Sequence, residues 1–322
     1  MDGLRGARWV SLVRFASERI GRRHVEGVLI RLARHYERLQ RVPVEMADGR
    51  VLYLDLRNRI SMPYLMQDDF EHERYEVDLL RQIVRPGDTV IDVGAGVGWY
   101  TSLLCEFVGE QGKVYAFEPN ARLATLLQGL ARHTPQLRVV AAGVGDFDGN
   151  RYFHMPEDQI EGTSGRARGM VAVDYVPMIR LDTFAESEEI DRVTLIRCNA
   201  VGAEWDILKG ALNTLNRDRS PAWLMEISGE GASQTQTDRP PERLPEFFRE
   251  QVKTEYKALM MNRQTGELEP LQIPTEGPFE FSVLFVPPWL ETRLSEMPAY
   301  NPAAPSASPQ KLEAAPEVGT GS

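Results

Sequence analysis

The stretch VIDVGAGVGWYT (residues 90–101), followed by VYAFEPN (residues 114–120), decides the fold. The first reads as a buried strand, a glycine turn and the opening of a helix. The second reads as another buried strand, with Glu118 at its carboxyl end. Gly94, Gly96 and Gly98 bring no side chains to the turn, which predicts close approach of a ligand to the backbone. A carboxylate about 20 residues beyond such a turn suits two ribose hydroxyls, so the pair predicts a nucleoside cofactor. The spacing is GxGxG, not the GxGxxG that cradles a pyrophosphate, and it fits a cofactor without phosphates such as S-adenosyl-L-methionine. A glycine turn in an unrelated α/β protein is the plainer alternative; two elements in the correct order argue against it.

Working outward, strand and helix patterns alternate. Strands are predicted over 89–93, 114–117, 137–142, 193–198 and 222–227, with helices over 99–108, 121–133 and 204–215 between them. A helix opens at 245–251, and the last strands fall at 257–261 and 281–286. Residues 145–170 read as a polar, glycine-containing excursion, and 171–181 as extended chain. This order predicts an α/β fold: a doubly wound, mostly parallel sheet. Its ligand belongs outside the strand carboxyl ends, where the strand order reverses. The glycine turn, Glu118, Ala142-Gly143-Val144 and Asn199 all map there.

The flanks divide the chain further. Residues 1–42 carry ten arginines against Asp2, Glu18, Glu26 and Glu37, although the whole chain has a net charge of −10. Apolar residues recur there at helical spacing, which predicts a basic amphipathic extension. It either covers its own domain or a second subunit, or lies on an anionic membrane surface. Residues 43–84 read as a hairpin turning at Asp48-Gly49, then a helix. Residues 85–290 form the cofactor-binding domain, and 297–322, rich in Pro, Ala and Ser, are predicted to be disordered. No run of 18 apolar residues appears, and Cys105 and Cys198 read as core thiols of a reducing, cytoplasmic setting. Nucleic acid is not an expected partner, and no metal-ligand spacing is seen.

Residues 50–287 resemble the FkbM-type S-adenosylmethionine-dependent methyltransferases. The likeness rests on LDLRNRI (54–60), RYEVDLL, PGDTVIDVGAGVGWYTSLL, VYAFEPN, AAGVGD, IRLDTF (179–184), LIRCNAVGAEWDILKGA (195–211), LMEIS and VLFVP, in that order. It implies a seven-stranded sheet with the last strand antiparallel, in the class I Rossmann-like manner. It also implies O-methylation of a hydroxyl on a sugar, glycolipid or polyketide-type small molecule, as in natural product biosynthesis. The family segment reads approximately KIDVEGAE. Here the acid after the strand is Asn199 and the first glutamate is Val201, while Gly202, Ala203 and Glu204 are kept. Asn199 still hydrogen-bonds but cannot accept a proton. A catalytically impaired binding module is therefore an alternative, and a nicotinamide-dependent oxidoreductase a more distant one.

The roles follow from the chemistry. Glu118 is expected on the ribose, with Pro119 and Asn120 bordering the adenosine and Ala142, Gly143 and Val144 lining adenine. Thr101, with the backbone of Gly94 and Gly96, is expected to hold the methionine carboxylate at a helix N-terminus, and Ala95 and Gly98 are further cofactor contacts. Asp92 orders the turn or meets the methionine amine, and Asn199 is a further contact. His72, Tyr75 and Glu76 belong to a cofactor lid. A base for a hydroxyl acceptor is sought among Glu204, Glu226 and His154.

Overall fold

A computed structural model describes residues 3–66, 71–156, 171–200, 202–228, 243–262, 265–272 and 280–295. Two helices, α1 (Gly3–Ile20) and α2 (Arg22–His35), precede a hairpin of β1 (Val42–Glu45) and β2 (Val51–Leu54), then α3 (Met62–Met66) and α4 (Glu71–Ile83). The alternating core follows: β3 (Thr89–Val93), α5 (Trp99–Val108), β4 (Lys113–Phe117), α6 (Ala121–Ala131), β5 (Leu137–Val140) and β6 (Gly143–Val144). A second hairpin, β7 (Gly149–Pro156) and β8 (Val171–Ile179), leads to α7 (Leu181–Ser187) and β9 (Leu195–Cys198). The chain continues through α8 (Glu204–Lys209), α9 (Leu212–Leu215), β10 (Ala222–Ser228) and α10 (Leu244–Gln251). It ends with β11 (Lys257–Met261), β12 (Leu268–Pro270), β13 (Glu280–Val286) and α11 (Pro288–Ser295).

The central sheet runs β12-β11-β13-β10-β9-β3-β4-β5. Strands β3, β4, β5, β9 and β10 pair in parallel, and β13 is antiparallel to both β10 and β11. The seven expected strands are present. An eighth, β12, pairs antiparallel with β11 at the edge. The strand order reverses between β3 and β9, which makes that junction the switch point.

Successive residues of each central strand point to opposite faces, and each face has its own core. Val90 and Leu195 face α4, α5, α6 and the N-terminal helices. Ile91, Val93, Ile196 and Cys198 face α7, α8 and α10. Burial of both faces explains why the strands read as unbroken apolar runs.

Two sequence expectations need correction. The excursion at 145–170 is not wholly irregular: residues 149–156 form β7, paired with β8 from Gly149↔Met178 to Pro156↔Val171. Its polar residues are those of a two-stranded ribbon, with Tyr152 opposite Tyr175 and their rings 5.0 Å apart. The helix expected over 204–215 is broken in two. A side chain at Gly210 would begin 1.9 Å from the Gly145 carbonyl oxygen. There the chain turns, with the Gly210 carbonyl accepting from the Asp182 amide. The Asp182 carboxylate in turn accepts the Asn213 and Thr214 amides at 2.9 and 2.8 Å, which caps α9.

Candidate cofactor site

The carboxyl ends of β3, β4 and β9 meet around the glycine turn. The Gly94 and Ala95 amides both donate to the Phe117 carbonyl, at 2.9 and 3.1 Å, which ties the turn to the end of β4. The three glycines differ in their reasons. Gly94, at φ +77°, lies against β9: an added Cβ would sit 2.0 Å from the Asn199 carbonyl oxygen. Gly98 packs on α6, where a Cβ would sit 2.6 Å from Leu127 Cδ2. Only at Gly96, at φ +58°, is there open space where a side chain would be. The three glycines therefore have different local reasons: Gly94 and Gly98 are required by close packing, and Gly96 has open space where a side chain would be.

Glu118 follows β4 and is buried, at 6 % exposure. Its Oε2 accepts the Gly96 amide at 2.8 Å and its Oε1 the Asn120 amide at 2.8 Å. Each oxygen retains a second lone pair, so the carboxylate is pinned but can still accept from two hydroxyls. Loss of water pushes its pKa up to about 7, against the pull of the two backbone amides; the nearby Asp92 adds to the rise. Asn120 caps α6, its Oδ1 accepting from the Arg122 and Leu123 amides at 3.0 and 3.3 Å. Pro119 is half-buried beside Gly143, whose Cβ would lie 3.7 Å from Pro119 Cβ. Ala142, Gly143 and Val144 are buried where β6 meets β8.

Thr101 and Asp92 are both fully buried. The Thr101 hydroxyl donates to Asp92 Oδ2 at 2.6 Å, so it supports the turn from below rather than reaching toward a ligand. Asp92 Oδ1 accepts from Arg197 Nη1 at 3.2 Å. Arg197 was not singled out in the sequence, yet it is the hub of this region. Its Nε lies 3.6 Å from Glu76 Oε1 of α4, and its guanidinium stands 3.6 Å from the centre of the Tyr100 ring. Glu76 also accepts from the Ser282 hydroxyl of β13 at 2.7 Å. Burial works against the Arg197 charge, and Asp92, Glu76, Tyr100 and Glu226 together more than restore it. Its signal in the sequence was a cation inside the otherwise apolar strand LIRC, which can be buried only with partners.

Glu226 is half-buried on β10, one residue beyond the Met225↔Cys198 pair and so level with Asn199. Glu204 is buried, and its Oε1 turns back to accept the Gly202 amide at 2.9 Å, holding the loop after β9. Burial raises its pKa. Asn199 donates its amide to the Val93 carbonyl at 2.9 Å and is half-buried. His154 lies on β7 opposite Val173, five residues along β8 from Met178, about 17 Å at strand spacing. Tyr75 is half-buried on α4. The side chains of His154 and His72, and the whole of Val201, lie outside the described residues, as do 157–170 and 297–322.

The model of the methyltransferase FkbM domain matches residues 92–259, more than half of the chain. The chain belongs to the FkbM methyltransferase family. The match spans Glu118, the switch point and β9, and it leaves the nicotinamide alternative without support. A protein-L-isoaspartate O-methyltransferase of Aeropyrum pernix is 38 % identical over 77 residues, 24 % of this chain and 30 % of that protein. The chain therefore aligns with about a third of that relative's length. The solved FkbM methyltransferase of Methylobacillus flagellatus shares 14 % identity over 69 % of this chain and 52 % of its own, with a TM-score of 0.38. Aeropyrum pernix fibrillarin, solved with natively bound S-adenosyl-L-methionine, shares 12 % identity over 76 % of this chain and 93 % of its own, with a TM-score of 0.40.

Proposed function

We propose that this FkbM-family chain is an S-adenosyl-L-methionine-dependent methyltransferase acting on a hydroxyl of a sugar, glycolipid or polyketide-type small molecule. The observation that carries the cofactor is Glu118, held at the end of β4 by the Gly96 and Asn120 amides with one lone pair left on each oxygen. The open space at Gly96 suits the approach of a nucleoside. When bound, the cofactor supplies an electrophilic methyl group. Glu118 holds the ribose, Pro119 and Asn120 border the adenosine, and Ala142-Gly143-Val144 lines the base. Asp92, Glu76 and Glu226 set negative charge around Arg197 on the α4 face, which suits a cationic cofactor. Glu226, level with Asn199, is the base for the acceptor hydroxyl, because Glu204 is engaged with its own loop. The two buried thiols fit a reducing, cytoplasmic setting.

Isothermal calorimetry on Glu118→Ala tests the assignment. Loss of a charged acceptor serving two hydroxyls costs about 2–3 kcal/mol, so binding weakens about 30-fold or more. Unchanged affinity in a folded variant would sink it. Asn199 supports a second reading, in which the domain binds cofactor but turns hydroxyl acceptors over slowly. Mass spectrometry of acceptor mixtures incubated with cofactor separates the two.

A further inference from the structure

The N-terminal helices have an inner stripe and an outer one. Val10, Val25, Leu29, Ile30 and Ala33 are buried in the core beside the central sheet. Covering the domain accounts for these residues and not for the apolar side chains left exposed on the same helices. Leu12, Phe15, Ile20, Val28, Leu32 and Tyr36 are exposed; they are six of the ten large apolar side chains left exposed among the described residues. On α1, Leu12 and Phe15 are one turn apart, and the Arg19 guanidinium lies 5.2 Å over the Phe15 ring. On α2, His24, Val28, Arg31, Leu32 and His35 recur at helical spacing and are all exposed.

Charge selects the occupant. Residues 1–42 have ten arginines against four acids, a net of +6, which leaves −16 for the remainder of the chain. Of the acids, Glu26 is paired with Arg22 at 2.9 Å, and Glu18 and Glu37 are exposed. A two-fold contact between copies would set this basic face against itself. A head-to-tail contact onto the acidic body closes only where its rotation makes a ring, and otherwise builds open filaments. An anionic surface of unlimited extent meets both the arginines and the apolar side chains.

We propose that the outer face of α1 and α2 is a docking surface for an anionic lipid bilayer. Leu12, Phe15, Val28 and Leu32 enter the interface, and Arg19 and Arg31 meet the headgroups. No described helix is long and apolar enough to cross a membrane, so the contact is peripheral. This surface is independent of the cofactor assignment.

The test is flotation of the full chain with vesicles of phosphatidylglycerol and phosphatidylcholine, and with phosphatidylcholine alone. Binding is expected to be at least about tenfold stronger to the anionic vesicles and to fall in high salt. Leu12→Ser with Phe15→Ser should weaken it at least about tenfold. Arg19→Gln with Arg31→Gln should weaken it about 30-fold. All four positions are exposed, and thermal melting checks that the variants fold. Absence of flotation, equal binding to both vesicle types, or a dimer in light scattering that the Leu12/Phe15 variant turns into monomer overturns the proposal.

Discussion

Titration of Glu118 gives the cofactor assignment a quantitative handle. Burial pushes its pKa from 4.5 up to about 7 in the free protein. Ribose hydroxyls donate to the carboxylate, so binding favours the ionised form and releases a proton below pH 7. If the bound pKa returns to its ordinary 4.5, affinity at pH 5.5 is about 15-fold weaker than at pH 7, roughly 1.6 kcal/mol. Near pH 7, about half a proton is released per cofactor bound. The window stays below the range in which the α-amino group of the ligand itself titrates. Calorimetry in buffers of different ionisation enthalpy measures both the affinity and the proton count. In Glu118→Gln the slope should vanish while overall affinity falls. Wild-type affinity that is flat from pH 5.5 to 7, or a slope that survives in Glu118→Gln, would falsify the assignment of the ribose to this carboxylate. Stability carries the opposite sign. Because the folded pKa is raised, the free protein gains stability from protonated Glu118 at low pH. It loses that gain as pH rises from the unfolded value toward about 7.

Gly94→Ala should destabilise severely, because the new Cβ would fall 2.0 Å from the Asn199 carbonyl oxygen, whereas Gly96→Ala meets nothing within 4 Å. The second variant should lose only about 1–2 kcal/mol of stability for its left-handed backbone, yet weaken cofactor binding; urea melts and calorimetry read the two effects. Arg197→Met leaves Asp92 and Glu76 without their buried cation and should cost about 3–5 kcal/mol at neutral pH. Thermal melts at neutral pH measure the loss, and unchanged stability would refute the role of Arg197 as the hub. Glu226→Gln should lower turnover at least about 100-fold with cofactor affinity changed less than threefold, in a coupled assay for the demethylated product.

Much of the fold could be read from the chain because burial of both sheet faces imposes a strong signal. The strands at 89–93 and 257–261 and the helix at 99–108 fall where the apolar runs and glycines place them. The failures have local causes. β7 has the sequence GNRYFHMP, which opens on Gly-Asn-Arg and ends on Pro without a period-two apolar pattern, so it reads as a loop. The break at Gly210 depends on the backbone of Gly145, 65 residues away, and on the Asp182 cap. No window of sequence contains both partners. The place of Glu118 at the end of β4, beside the glycine turn, was legible because a strand, a glycine turn and an acid at fixed spacing are local. Thr101 was misplaced because its hydroxyl direction depends on Asp92 beneath it.

The substitution at Asn199 looks different once its backbone is considered. Its amide pairs with Val93, and its carbonyl is the surface against which Gly94 fits. Both contacts are main-chain, so exchanging an acid for an amide at this position leaves the switch point intact. What changes is charge. Yet Asp92, Glu76 and Glu226 all act on Arg197, whose side chain lies on the α4 face of the sheet. Three carboxylates around one guanidinium leave a negative excess there without any contribution from position 199. On the proposed reading, a cationic cofactor is drawn by residues that the altered motif does not include. On the same reading, the acceptor meets an amide at Asn199 where the resemblance to the family implies an acid. Cofactor binding and turnover should thus respond independently: Asn199→Asp should move the rate with a hydroxyl acceptor and leave cofactor affinity close to wild type.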